Sequence, residues 1–175
     1  TVTINLREVQ PTLFFAVPRI WEKLKAGVEV RMSAASFLKK LNYRIWMGVG
    51  KGIADSMLAN GGKHTLWSRI RYAFGYVFLY RALRERIGMS KVRSATSAAE
   101  PISPEVLYFF FTMGVVINEL YGMTENSAVA TSNRAGRIKL GTVGEPHPDV
   151  ELKLADGTNE ILTRHPGNFA GYWNR

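Results

Sequence analysis

The stretch Lys91–Gly122 constrains the fold more than any other part of this chain, because it reads as strand, helix, strand with both helix ends marked. Ser103 offers an N-cap, Pro104 a first helical position, Glu105 a first-turn acid and Gly114 the stop. Lys91–Ala95 reads as the strand before it, followed by a loop of small residues, Ser97-Ala98-Ala99-Glu100-Pro101. Val115, Val116, Ile117 and Leu120 make the strand after it, which ends in Tyr121-Gly122. A strand–helix–strand order favours a parallel sheet, and in such α/β folds ligand chemistry lies outside the carboxyl ends of the strands.

The flanking text extends this unit on both sides. Pro11–Pro18 is a short apolar run bracketed by prolines and reads as a buried strand, feeding a helix on which Ile20, Trp21, Leu24 and Val28 recur at helical spacing. From Arg31 to Gly88 the pattern is helical, with Leu38, Leu41, Ile45 and Trp46 on one stripe. Leu66, Ile70, Phe74, Val77 and Leu83 lie on later stripes, after a break at Asn60-Gly61-Gly62. Beyond Gly141, Val150–Leu154 and Glu160–Thr163 flank a polar turn and read as a hairpin. The reading divides into a strand–helix unit over 1–30, a basic helical insertion over 31–90, an α/β unit over 91–140 that carries the candidate site and a β-rich segment over 141–175.

Charge sharpens that division. Arg19–Arg93 holds 16 basic and 4 acidic residues, whereas Ser94–Arg175 holds 6 basic and 9 acidic. A basic middle of this kind is either a solvated helical face or a surface for an anionic partner. No cysteine is present, which excludes disulfide frameworks, Cys-based zinc or iron–sulfur sites and thiol nucleophiles. No signal peptide or membrane-spanning segment is visible in the sequence, so the expected location is cytoplasmic or peripheral on a membrane.

The most specific feature is Tyr121-Gly122-Met123-Thr124-Glu125, just past the second strand. Beside a nucleotide, Tyr121 can stack on a base, Thr124 can hydrogen-bond a phosphate oxygen and Glu125 can hold Mg²⁺ through oxygen. Taken alone, the same residues serve as ordinary turn and helix-cap residues. His64, His147 and His165 have no partner at metal-ligand spacing. Gly48-Val49-Gly50-Lys51-Gly52 lacks the spacing and the Ser/Thr of a Walker loop and reads as a helix-end loop. Phe109-Phe110-Phe111 reads as helix core, and Trp21, Trp46 and Trp67 as packing anchors.

In their order, three blocks resemble the adenylate-forming superfamily, in its long-chain fatty acid–CoA ligase branch. They are Ser97–Pro101 with Ile102-Ser103-Pro104-Glu105-Val106, then Tyr121–Glu125, then Gly141-Thr142-Val143-Gly144-Glu145-Pro146 with Glu160–Arg164 and Gly171-Tyr172-Trp173-Asn174. Upstream, Asn5–Pro11 and Val17–Leu24 are similar to the segment typical of the long-chain subgroup. The resemblance implies part of an adenylate-forming N-terminal domain: a mostly parallel sheet with flanking helices, a helical insertion and a C-terminal β-rich segment. It implies activation of a long-chain fatty acid with ATP, release of pyrophosphate, then thioester formation with CoA and release of AMP. Carried over, Ser97, Ala98, Ala99, Glu119, Leu120, Tyr121, Gly122, Met123 and Thr124 line the ATP/AMP site, Thr124 contacts the α-phosphate, and Glu125 binds Mg²⁺.

Departures from the family pattern occur at Asn159 and His165, where glycine is common. The family's Ser/Thr- and Gly-rich phosphate loop is not found in this sequence, nor are its ribose-binding Asp and adenylation Lys. The chain is therefore expected to be a central slice of a larger enzyme, without turnover of its own. A rival reading is a basic helical module using Arg69, Arg71, Arg81, Arg84, Arg86, Lys91 and Arg93 on an anionic membrane surface or nucleic acid. No nucleic-acid signature accompanies those residues, so no nucleic-acid partner is expected.

Overall fold

A computed structural model describes residues 2–134 and 136–174. Its centre is a sheet of five strands in the order β1-β2-β3-β4-β5. The first three, β1 (Leu13–Ala16), β2 (Ser94–Ser97) and β3 (Ile117–Tyr121), pair in parallel, with Leu13 opposite Ser94 and Ser97 opposite Glu119. Two short antiparallel strands complete it, β4 (Thr131–Ser132) against β3 and β5 (Glu145–Pro146) against β4. A separate hairpin pairs β6 (Glu151–Leu154) with β7 (Ile161–Arg164). The α/β class and the parallel core agree with the sequence reading.

Six α-helices surround these strands: α1 (Val2–Val9), α2 (Pro18–Ser33), α3 (Phe37–Ala59), α4 (Leu66–Gly75), α5 (Arg81–Ile87) and α6 (Pro104–Thr112). A π-helical segment, Tyr76–Tyr80, joins α4 to α5. The end marks on α6 act as expected: the Ser103 side chain accepts from the Glu105 N–H at 3.3 Å, Pro104 opens the helix, and Gly114 follows with φ of +77°. Glu105 also pairs with Lys25, tying α6 to α2. Trp21 is wholly buried, donates from Nε1 to the Ala16 carbonyl at 3.2 Å, and meets Phe14 and Phe110 edge-on. Phe109, Phe110 and Phe111 are all core, as their run implied.

Several expectations need correction. The strand after Pro11 is an edge strand buried on one face only: Leu13 and Phe15, which alternate onto the other face, are 73% and 63% exposed. β2 begins at Ser94 rather than Lys91; the Arg93 and Ser94 N–H groups bond to the Thr12 carbonyl, and small side chains then continue the strand through Ser97. Gly48–Gly52 is no helix-end loop but lies inside α3. Gly50 faces the core there, leaving room for Tyr80, whose hydroxyl donates to the Trp46 carbonyl at 2.6 Å. Much of the apolar stripes on α3, α4 and the π-helical segment lies outside the core: Leu38, Leu66 and Val77 are each over 70% exposed. The buried face of α3 is instead Met47, Gly50, Ile53, Ala54 and Met57. Trp21 and Trp46 pack, whereas Trp67 is 74% exposed and anchors nothing.

The hairpin lies where the alternation placed it, shifted by one residue. Asn159, the first departure from the family pattern, has φ of +57°, a left-handed conformation that asparagine tolerates better than most residues.

Candidate active site

β2 and β3 are neighbours, so the loop leaving Ser97 and the turn leaving Tyr121 open at the same edge of the sheet. Between them lies a cleft of 610 Å³. Ser97, Ala99, Glu119, Leu120, Tyr121 and Gly122 line one part of it, all from the sequence-derived set. Glu100, Pro101, Gly141, Thr142 and Val143 line the rest. Ala98 is buried and lies off the lining, while Met123, Thr124 and Glu125 stand on the adjoining turn.

That turn is tightly made. Gly122 passes so close to Ala128 that a Cβ on it would fall 2.2 Å from the Ala128 carbonyl carbon, which leaves glycine as the residue that fits. The fully buried Asn126 accepts from the Met123 N–H at 2.8 Å through its side chain, closing a 3₁₀ turn over Thr124–Asn126. Thr124 is exposed and Glu125 half-buried, so both side chains sit at the surface of the turn.

Glu125 is held from a distant part of the sequence. The Tyr172 hydroxyl donates to its carboxylate at 2.5 Å, and this bond lowers the Glu125 pKa while raising that of Tyr172. The Phe169 N–H donates to the Glu125 carbonyl at 2.9 Å, and Ser127 Oγ donates to the Gly167 carbonyl at 2.6 Å. His165, the second departure from the family pattern, accepts from the Gly167 N–H at Nδ1, so Nε2 carries the proton it gives to the Asn126 carbonyl. His165–Tyr172 thus docks on the turn that carries Thr124 and Glu125.

On the opposite wall Glu119 is buried, and burial pushes its pKa up, against the N–H groups of Gly141 and Thr142 that lower it. Its carboxylate accepts from the Gly141 N–H at 3.1 Å and so fixes the loop that forms that wall. Ser97 Oγ is buried and has no hydrogen-bond partner, and Ala99 holds φ of +78°, an uncommon value for alanine. An orphaned hydroxyl at the cleft fits a polar ligand. Among the described residues no three His, Asp or Glu side chains gather into a metal cage. A single carboxylate such as Glu125, completed by phosphate oxygens and water, suits magnesium.

Gly141, Thr142 and Val143 line the cleft without belonging to the sequence-derived site residues, and Tyr172, the partner of Glu125, lies outside that set too. The two glycines bracketing Thr142-Val143 were the available signal for a close-packed wall. Nothing local marks Tyr172, which acts across 47 residues of sequence.

The family model described as "AMP-binding enzyme" matches residues 2–173. The chain belongs to the AMP-binding enzyme family. Among relatives in this family it is 38% identical over 173 residues to a Mycobacterium tuberculosis protein named "Putative fatty-acid--CoA ligase fadD11", covering 98% of this chain and 30% of that one. It is 30% identical to the Arabidopsis thaliana protein "Long chain acyl-CoA synthetase 6, peroxisomal", covering 97% of this chain and 24% of that protein. The chain thus spans less than a third of the length of these relatives. A solved structure, the A-PCP didomain of carboxylic acid reductase from Segniliparus rugosus in complex with AMP, has the same fold. Its TM-score is 0.50 at 20% identity, over 100% of this chain and 21% of that one.

Proposed function

We propose that this chain is a segment of an ATP-dependent long-chain fatty acid–CoA ligase. The observation that carries the reading is that the Ser97–Ala99 loop and the Tyr121–Glu125 turn open onto one cleft at the carboxyl edge of a parallel sheet. The names of the relatives supply the substrate class. In the reaction, a fatty-acid carboxylate displaces pyrophosphate from the α-phosphorus of ATP to give an acyl-adenylate. The CoA thiol then displaces AMP from the acyl carbon.

Within that reaction Tyr121 lies against the adenine, and the small side chains of Ala98 and Ala99 let the purine approach the backbone. Ser97, Glu119, Leu120, Gly122 and Met123 complete the nucleotide contacts, and the exposed Thr124 hydroxyl reaches the α-phosphate. Glu125 would hold magnesium, which when bound neutralises phosphate charge. Tyr172 keeps the Glu125 carboxylate ionised and fixed in direction. Such work is positioning and charge neutralisation, so no side-chain nucleophile is needed, in keeping with a chain without cysteine.

The test is palmitate-driven exchange of pyrophosphate into ATP by the full-length protein. Glu125→Ala is expected to lower exchange by roughly 100-fold or more with the fold retained. Retained exchange in that variant removes Glu125 as a metal ligand, and no palmitate-dependent exchange in the wild type removes the ligase reading.

A second reading, peripheral contact with an anionic membrane, is favoured by α4. There Trp67, Ile70 and Phe74 are exposed beside Arg69 and Arg71. The basic set needs one correction. Arg84 points inward, donating to the Met89 and Val92 carbonyls and to the Tyr72 hydroxyl, so it serves packing rather than a surface. Among the described residues no helix is long and apolar enough to cross a membrane. Loss of binding to phosphatidylglycerol vesicles in a Trp67→Glu, Phe74→Glu variant supports this contact, and unchanged binding removes it.

A further inference from the structure

Outside the cleft, α1, α2 and α5 enclose a slot of 290 Å³. Its floor is apolar, made by Ile4, Leu24, Val28, Leu83 and Ile87. Lys23, Arg31, Arg7 and Arg86 also line it. Arg7, Arg31 and Arg86 are shared with a neighbouring open cleft of 790 Å³, which adds Lys91 and one acid, Glu85. The slot is thus a greasy chamber with a cationic mouth.

The walls are fixed rather than accidental. Gly88, with φ of +80°, lets the Leu6 backbone come so near that a Cβ would lie 2.4 Å from the Leu6 carbonyl. Gln10 staples the end of α1 to that of α5, donating to the Glu85 carbonyl at 3.1 Å and accepting from the N–H and hydroxyl of Ser90 at 3.0 and 2.7 Å. Arg7 Nε donates to the Arg86 carbonyl, yet Arg7 Nη2 is buried with no hydrogen-bond partner. A buried guanidinium nitrogen left unpaired is costly, and a ligand oxygen would satisfy it.

An alternative account assigns the arginines to helix ends, since Arg7, Arg31 and Arg86 each lie in the last turn of their helix. Three helix carboxyl ends contribute about half a negative charge each. With Glu85 added, that still leaves the five cations in excess. Nor do helix ends explain Lys23 or the orphaned nitrogen of Arg7. Among the described residues, none of the five cations forms a salt bridge.

We infer that this slot binds a single-chain amphiphile with an anionic head group, the tail between α1, α2 and α5 and the head among Arg7, Arg31 and Arg86. The head is a carboxylate, as in a free fatty acid, or a phosphate monoester, as in a lysophospholipid. Occupancy at this place is separate from the proposed nucleotide cleft, whose lining it does not share.

Equilibrium dialysis of the full-length protein against radiolabelled palmitate and radiolabelled dodecyl phosphate, below their micelle concentrations, tests the site. Gly27 provides the blocking variant: it lies on the α2 face with Lys23, Leu24 and Arg31, and nothing lies within 4 Å of where its Cβ would be. Gly27→Leu fills the slot while improving helix propensity, so the fold and ATP–pyrophosphate exchange are expected to be retained. Arg31→Ala with Arg86→Ala removes the head contacts without touching the Arg86 carbonyl that holds Arg7.

The wild type is expected to bind one more amphiphile per chain than Gly27→Leu, and the double arginine variant to bind it roughly tenfold more weakly or worse. An extra site for dodecyl phosphate alone identifies a phosphate head, and one for palmitate alone a carboxylate. Dodecanol and inorganic phosphate, which carry only tail or only head, are expected to bind weakly. Equal stoichiometry and affinity in wild type and Gly27→Leu overturn the inference. If the wild type binds one palmitate and Gly27→Leu none, this site stands while fatty-acid binding at the proposed active site fails.

Discussion

The unit over 91–140 and the helical segment over 31–90 contain similar apolar patterns but use them in opposite ways. In the first, the apolar side chains of α6 go inward almost without exception, and Val106, Leu107, Phe109, Phe110 and Phe111 are all buried. In the second, apolar side chains of α3 such as Leu38 and Leu41 point out, and the inward face of α3 is built from Met47, Gly50, Ile53, Ala54 and Met57. Apolar periodicity identifies a helix in both cases. It does not say which side of that helix meets the protein, because the inward side is chosen by how closely two backbones can approach. At Gly50 a Cβ would stand 2.6 Å from the Tyr80 hydroxyl, so α3 lies close against its neighbours along its small residues.

The largest effect is expected from cutting into the inward side. Trp21→Ala is expected to destabilise the full-length protein by about 3–5 kcal/mol, as complete removal of a packed indole does. Its ring is wholly buried between Phe14 and Phe110, and its hydrogen bond to the Ala16 carbonyl is lost with it. The urea midpoint measures it, and an unchanged midpoint refutes the burial. Next in size is Gly122→Ala, where the new Cβ meets Ala128 backbone rather than a movable side chain. A cost of about 1–3 kcal/mol is expected from such overpacking. Pyrophosphate exchange should fall more than stability does, since the displaced turn carries Thr124 and Glu125.

What the sequence made legible follows from which interactions are local. The caps of α6, the hairpin turn and the strand before Tyr121 each depend on residues within a few positions, and all were readable. The cleft is legible in part: Ser97, Ala99, Tyr121 and Gly141–Val143 all belong to recognisable blocks, but that Gly141–Val143 forms the facing wall depends on Glu119, which holds it from 22 residues away. The grip of Tyr172 on Glu125 spans 47 residues and has no local trace. The orientation of α3 and α4 was unreadable for the same reason, being decided by Tyr80 and Thr112 rather than by the helices themselves.

Glu119 gives a smaller, pH-dependent effect. Burial raises its folded-state pKa, so the unfolded chain releases the proton first as pH rises. Stability is therefore full below the ordinary carboxylate range and declines as pH climbs through that range toward the raised value. Glu119→Gln keeps a carbonyl oxygen for the Gly141 N–H and removes the ionisation. The wild-type urea midpoint is expected to fall relative to Glu119→Gln over that window. Parallel pH profiles for the two proteins contradict the burial-driven shift.

The smallest effect is also the most direct probe of the outward stripes. Leu38→Gln and Val77→Gln each replace a side chain about three-quarters exposed, so little apolar surface is lost from the folded state. Each is expected to change stability by about 0.5 kcal/mol or less, against several for the inward Trp21. If the two substitutions together shift the urea midpoint as much as Gly122→Ala does, the stripes are covered in the full-length protein. The contrast between the two regions then belongs to this segment rather than to the whole protein. If they leave the midpoint in place, the apolar surface of α3 and of the π-helical segment after α4 is free in the complete molecule. Stability then offers no reason for it, and contact with something outside the protein does.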